Sequence, residues 1–139
     1  RTMNTKDGYA VQFAIKKGYP VAVITGGKSE SLKKRFMNLG VTDVYLNSMD
    51  KCDDFDDFVM KYDIDPENVL FMGDDMPDYD VMQKVGIPVC PVDAVIEIKA
   101  ISLYISDKKG GEGCVRDVIE QVLRTQKNWT DHSKRKYKQ

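Results

Sequence analysis

Short apolar runs, each closed by glycine, aspartate or another turn residue and each followed by a helical stripe, recur along the whole chain and leave few folds open to it. "PVAVI" at 20–24 ends in Thr25, Gly26 and Gly27. A run this short and β-branched, flanked by turn residues, reads as a buried strand. Leu32, Phe36 and Leu39 then fall at i, i+4 and i+7, and Gly40 stops the stripe. "DVYL" at 43–46 is a second strand, and Phe55, Phe58, Val59 and Tyr62 make the next amphipathic helix. "NVLFM" at 68–72 is a third strand, followed by a stripe of Tyr79, Met82 and Val85 that Gly86 ends. "IPVC" at 87–90 and "SLYI" at 102–105 are further strands, with a short helix near 95–98 between them. Val115, Val118, Ile119, Val122 and Leu123 form the strongest helical stripe. Ahead of all this, Asp7 reads as the N-cap of a helix through Ala10, Ala14 and Ile15 that stops at Gly18. Alternation with short links predicts an α/β domain with a mostly parallel sheet.

A chain of 139 residues fits one domain with a real core. The net charge of −1 argues against a nucleic-acid partner, which calls for a basic excess. No apolar run reaches membrane-spanning length and no signal-peptide pattern opens the sequence, so no membrane partner is expected. Cys52, Cys90 and Cys114 are far apart, without metal-ligand spacing, and read as reduced thiols of a cytoplasmic protein. The polar, basic stretch after Trp129 reads as a solvated tail, which puts the core at 1–128 and the tail at 129–139.

In parallel sheets ligands bind beyond the carboxyl ends of the strands. Thr25 and Gly26 lie at one such end, where a hydroxyl and bare backbone N–H groups can hold a phosphate. Lys51 follows the second strand at the start of a helix, where an ammonium opposes the macrodipole unless an anion sits there. After the third strand, "GDDMPDYD" crowds Asp74, Asp75, Asp78 and Asp80 together. Capping accounts for one or two of them. Adjacent Asp74 and Asp75 at a strand terminus suit Mg²⁺, which takes few carboxylates and fills its shell with water and phosphate oxygen. Taken singly, Thr25 also fits an ordinary turn and Lys51 an exposed lysine.

"VITGG", the Asp50-Lys51 pair and "GDDMPD" resemble the second, third and fourth motifs of the haloacid dehalogenase superfamily of phosphatases. "NTKDGYAVQFAIKKGYPVAVITGGKSE" and "GGEGCVRDVIEQVL" are similar to its 3-deoxy-D-manno-octulosonate 8-phosphate (KDO 8-phosphate) phosphatases, which act in lipopolysaccharide precursor synthesis. The resemblance implies a three-layer, Rossmann-like, cap-less fold and a Mg²⁺-dependent phosphomonoesterase acting through an aspartyl-phosphate. It also implies a phosphorylated sugar acid as substrate and a homotetramer whose neighbouring subunits roof the site. By motif, Thr25 and Gly26 bind the phosphate, Lys51 neutralises it, Asp74 is a Mg²⁺ ligand, Asp75 supports it and Asp78 belongs to the same loop. Gly27, Lys28 and Arg35 lie where the substrate sugar acid is read.

The first motif of that family, an Asp-x-Asp carrying nucleophile and general acid, has no match in the sequence. In the family its strand runs between those ending at Ile24 and Met72. The expectation is therefore a piece of a phosphatase whose nucleophile lies ahead of Arg1. Three rivals stay open. One is a phosphatase for nine-carbon, sialic-acid-type 9-phosphates. Another is a non-catalytic oligomerisation domain. The third, a receiver domain, is disfavoured because there the acid pair precedes Thr and Lys in the chain.

Overall fold

Strands and helices alternate through residues 5–127 and Trp129, which are the residues described by the computed structural model. The order is α1 (Thr5–Lys16), β1 (Ala22–Ile24), α2 (Glu30–Asn38), β2 (Asp43–Tyr45), α3 (Lys51–Lys61), β3 (Leu70–Met72), α4 (Tyr79–Met82), β4 (Ile87–Cys90), α5 (Ile96–Ile101), β5 (Tyr104–Ile105) and α6 (Cys114–Thr125). All pairings are parallel. β1 pairs with β2, Val23 opposite Val44. β3, β4 and β5 form a second ladder, Phe71 opposite Pro88 and Val89 opposite Tyr104. Among the described residues no ladder joins β1 to β3, so the sheet layer is in two pieces.

Side-chain alternation assigns the outer layers. Ala22, Ile24 and Phe71 face Phe55, Phe58 and Val59 of α3 and Val81 of α4. Val21 faces the opposite way, with Ala10 and Ala14 of α1 and Leu123 of α6. Leu70 and Met72 also turn that way, toward Cys114 and Val118. Both pieces therefore lie between one pair of helices, α1 and α6, and another, α3 and α4, as the expected three layers require. Among the described residues no helix is long and apolar enough to cross a membrane.

Several boundaries differ from the sequence reading. Asn68 does not begin β3; it closes a 3-10 turn, Pro66–Asn68, capped by the Asp65 side chain. The stripe through Val85 is helical only to Met82. Gly86 is needed for close approach, since a Cβ there would sit 1.9 Å from the Glu67 carbonyl oxygen. Asp7 is not an N-cap of α1. It is buried within that helix, and its carboxylate accepts a 2.8 Å hydrogen bond from the Arg116 N–H in the first turn of α6. The residue preceding α6 is Gly113, which has no side chain to cap it, so α1 supplies the acceptor instead. Trp129 is buried against Ala10, Ala14 and Leu123, with its ring 5.2 Å from that of Phe13, so the core extends past residue 128. The remaining tail positions, 130–139, lie outside the described residues.

Candidate active site

The loops after β1 and β2 are stitched together by backbone, and the loop after β3 joins them through a side-chain ion pair. The Ser48 N–H donates to the Thr25 carbonyl at 2.9 Å and the Asn47 N–H to that of Gly27 at 2.7 Å. Asn47 reaches this contact in the left-handed region, φ 53°, which asparagine tolerates better than most residues. The Thr25 side-chain oxygen accepts from the Gly27 N–H at 3.1 Å, which orients the hydroxyl at the strand end. A Cβ at Gly26 would have nothing within 4 Å, so this bare stretch of backbone is open to an approaching group.

Lys51 opens α3, whose N-cap is Asp50, the Asp50 carboxylate accepting the Cys52 N–H at 2.9 Å. The Lys51 ammonium lies 2.8 Å from Asp78 Oδ1, with the two side chains 18% and 7% exposed. The second oxygen of Asp78 accepts the Asp74 N–H at 2.9 Å and the Asp75 N–H at 3.3 Å. Asp78 is thus the hub of the acidic loop, and Lys51 is the cation that makes a carboxylate there tolerable. Gly73 lets the hub sit this close, because a Cβ there would lie 2.5 Å from Asp78 Cβ and 2.7 Å from Met82 Sδ. Asp75 folds back on its own turn and accepts the Met76 N–H at 2.7 Å. Asp74 remains exposed, its carbonyl taking the Val95 N–H at 3.0 Å.

An open cleft of about 550 Å³ runs over this junction, lined by Gly26, Ser48 and Lys51 on one side and by Met76, Pro77 and Asp80 on the other. An ammonium, a helix N-terminus and bare backbone together favour an anion. Cys52 also lines the cleft, but burial pushes its thiol up from its usual value; Lys84 pulls the other way, against Asp50, Asp80 and Asp56. A thiolate nucleophile is therefore disfavoured. Among the described residues no three His, Cys, Asp or Glu side chains converge as a metal-binding group. Asp74 and Asp75 are both exposed at the strand end, and a carboxylate there fits Mg²⁺ as a cation that keeps several water and phosphate ligands.

Thr25, Lys51 and the acidic loop are linked through the Thr25–Ser48 and Lys51–Asp78 contacts; of the expected site residues Gly26 and Lys51 line the cleft, while Thr25, Gly27, Asp74, Asp75 and Asp78 lie beside it, and Lys28 and Arg35 do not line it. Lys28 is exposed just ahead of Ser29, the N-cap of α2, and Arg35 is exposed in that helix's last turn. Gly27 sits beside Thr25, a Cβ there lying 3.4 Å from its Oγ1. Ser48 and Met76 carry no sequence signal beyond following a strand, and only the fold brings them to the cleft.

Residues 36–119 match the haloacid dehalogenase-like hydrolase family. The 3-deoxy-D-manno-octulosonate 8-phosphate phosphatase KdsC of Escherichia coli (strain K12) is 36% identical over 126 residues, covering 91% of this chain and 67% of the relative. The crystal structure of the same-named phosphatase from Yersinia pestis superposes with a TM-score of 0.88 at 33% identity, over 91% of this chain and 68% of that one. That from Moraxella catarrhalis, in complex with a magnesium ion, a phosphate ion and a KDO molecule, gives a TM-score of 0.86 at 30% identity, over 90% and 72%. With the family model matching residues 36–119 and the relatives aligned over about nine-tenths of it, the chain belongs to the haloacid dehalogenase-like hydrolases.

Proposed function

We propose that this protein is a phosphatase that hydrolyses KDO 8-phosphate to KDO and phosphate, with Mg²⁺ held through Asp74. The observation that carries this reading is the hydrogen-bonded junction of the Thr25, Lys51 and Asp74 loops at one end of the parallel strands. Relatives named for this substrate, one of them solved with magnesium, phosphate and KDO, support it. Mg²⁺ would supply charge neutralisation for the phosphate oxygens. Thr25 and Gly26 would hold the phosphate, Lys51 would balance its charge, and Asp75 and Asp78 would keep the Asp74 loop in place.

The divided sheet supports a nucleophile borne on a further strand between β1 and β3, since each of these pairs on one side only. Its carboxylate oxygen would attack phosphorus. The ester P–O bond would break with its electron pair leaving on the sugar oxygen, which takes a proton, and water would then release phosphate and restore the carboxylate. Gly27, lacking a side chain to bind an extra hydroxyl, favours the eight-carbon acid, with Arg35 meeting its carboxylate across a subunit interface and Lys28 near the start of the same helix. Met49 and Ile96, 93% and 76% exposed near strand ends, support a homotetramer in which a neighbour covers the cleft. Three free cysteines fit a cytoplasmic location.

Steady-state phosphate release tests the reading. The full protein is expected to prefer KDO 8-phosphate over nine-carbon 9-phosphates, and Asp74→Asn to lose Mg²⁺-dependent activity by about a thousandfold. Equal Mg²⁺ affinity in wild type and Asp74→Asn by calorimetry would remove Asp74 as the ligand.

A further inference from the structure

We infer that the Ser48 hydroxyl is a contact for a bound phosphate at the Gly26–Lys51 end of the cleft. The inference rests on the phosphatase reading and adds a residue that its motifs do not contain. Among the described residues, Ser48 Oγ is the only buried side-chain nitrogen or oxygen without a hydrogen-bond partner. A buried hydroxyl left unpaired is costly, and native structures keep few of them.

The backbone gives this side chain little room to relax. Its own N–H is bound to the Thr25 carbonyl at 2.9 Å, and the preceding residue is held to Gly27 at 2.7 Å in a left-handed conformation. Ser48 is thus clamped between the loop that carries the Thr25 hydroxyl and the helix start that carries Lys51. It lines the same cleft as Gly26 and Lys51. A hydroxyl can donate, and although Asp78 already pairs with Lys51 and Asp50 caps α3, the ammonium and the N-terminus of this 11-residue helix keep the local field positive, so the partner that suits the unpaired hydroxyl is an oxyanion. Asp50, the nearest carboxylate in sequence, is engaged in capping α3. Removing the hydroxyl should therefore weaken anion binding without weakening the ligand-free fold.

The test is calorimetric titration of the full protein with orthophosphate in the presence of Mg²⁺, paired with thermal melting in the absence of phosphate. Ser48→Ala is expected to raise Kd for orthophosphate about tenfold. Its Tm without phosphate should equal or exceed that of wild type, because the unpaired group is gone. Unchanged Kd overturns the inference while leaving the phosphatase reading intact. So does a Ser48→Ala protein that melts lower and binds less, since the hydroxyl is then structural. A wild type that binds no orthophosphate overturns the phosphate reading of the site itself, and this inference with it.

Discussion

In the β3–β4–β5 piece the middle strand is sealed at Val89 and Cys90, whereas in the β1–β2 piece no residue of β1 is fully buried and α2 buries none at all. The loops differ in the same sense. Beyond β4 and β5 the Val92 N–H donates to the Lys108 carbonyl, the Gly110 N–H to Asp93, and fully buried Ser106 to Asp117 at 2.7 Å. Beyond β1, Gly26 and Gly27 are exposed. Binding elements are drawn from the less stable parts of a fold. The β1–β2 piece contributes Thr25, Gly26, Ser48 and the start of α3, and it meets the sealed piece through the Lys51–Asp78 pair. Under the proposed function, the sealed piece would be the platform for Asp74 and the β1–β2 piece the grip on the phosphate.

The largest test of this contrast is a pair of glycine substitutions. Gly86→Ala must displace the Glu67 carbonyl in the sealed piece and is expected to cost about 3 kcal/mol or more. Gly26→Ala meets nothing within 4 Å and is expected to change stability by no more than about 0.5 kcal/mol, while impairing phosphate binding. Urea unfolding of both variants compares them, and equal losses would erase the distinction.

A smaller effect comes from acid. Burial pushes the Asp117 carboxyl up, but hydrogen bonds from Ser106, Tyr104 and Gln121 outweigh it and hold it below the usual carboxylate range. Asp43, buried at the start of β2, is likewise pushed up by burial and held low overall by Lys61, Tyr62 and Thr42. A carboxyl depressed in the folded state stabilises fully above its unfolded pKa, near 4, and loses that contribution as pH falls through the folded value. Asp117→Asn and Asp43→Asn should therefore be less stable than wild type near neutral pH, with the gap narrowing below about pH 4. The Asp117 gap should be the wider, because Ser106 is fully buried while the Lys61 side chain is 54% exposed. Urea titrations at a series of pH values read both, and a gap that widens on acidification would contradict the assignment.

Two strand ends were legible because the first and third apolar runs stop directly at turn or ligand residues, Thr25-Gly26-Gly27 and Gly73-Asp74-Asp75. Pairings across the fold were not. Lys51 and Asp78 are 27 positions apart, and Asp7 and Arg116 are 109 apart, so only packing selects those partners. Asp78 thus read as one more member of an acidic loop, when it organises that loop from within. The turn at Pro66 was marked in advance by Asp65-Pro66, a capping residue followed by a helix-starting proline, yet the apolar run beginning at Val69 obscured where the strand starts. Length was misjudged where tertiary contacts override local pattern, as at Gly86, whose backbone is pressed against Glu67.

The claim that one piece grips and the other supports is tested most directly by residue-resolved hydrogen exchange of the full protein, with and without Mg²⁺ and orthophosphate. Without ligand, amides of 22–51 are expected to exchange faster than those of 87–106. On binding, protection should rise mainly in 22–51 and at Asp74 and Asp75, with 87–106 nearly unchanged. Protection that is uniform across both pieces, or gained chiefly in β4 and β5, would contradict the account.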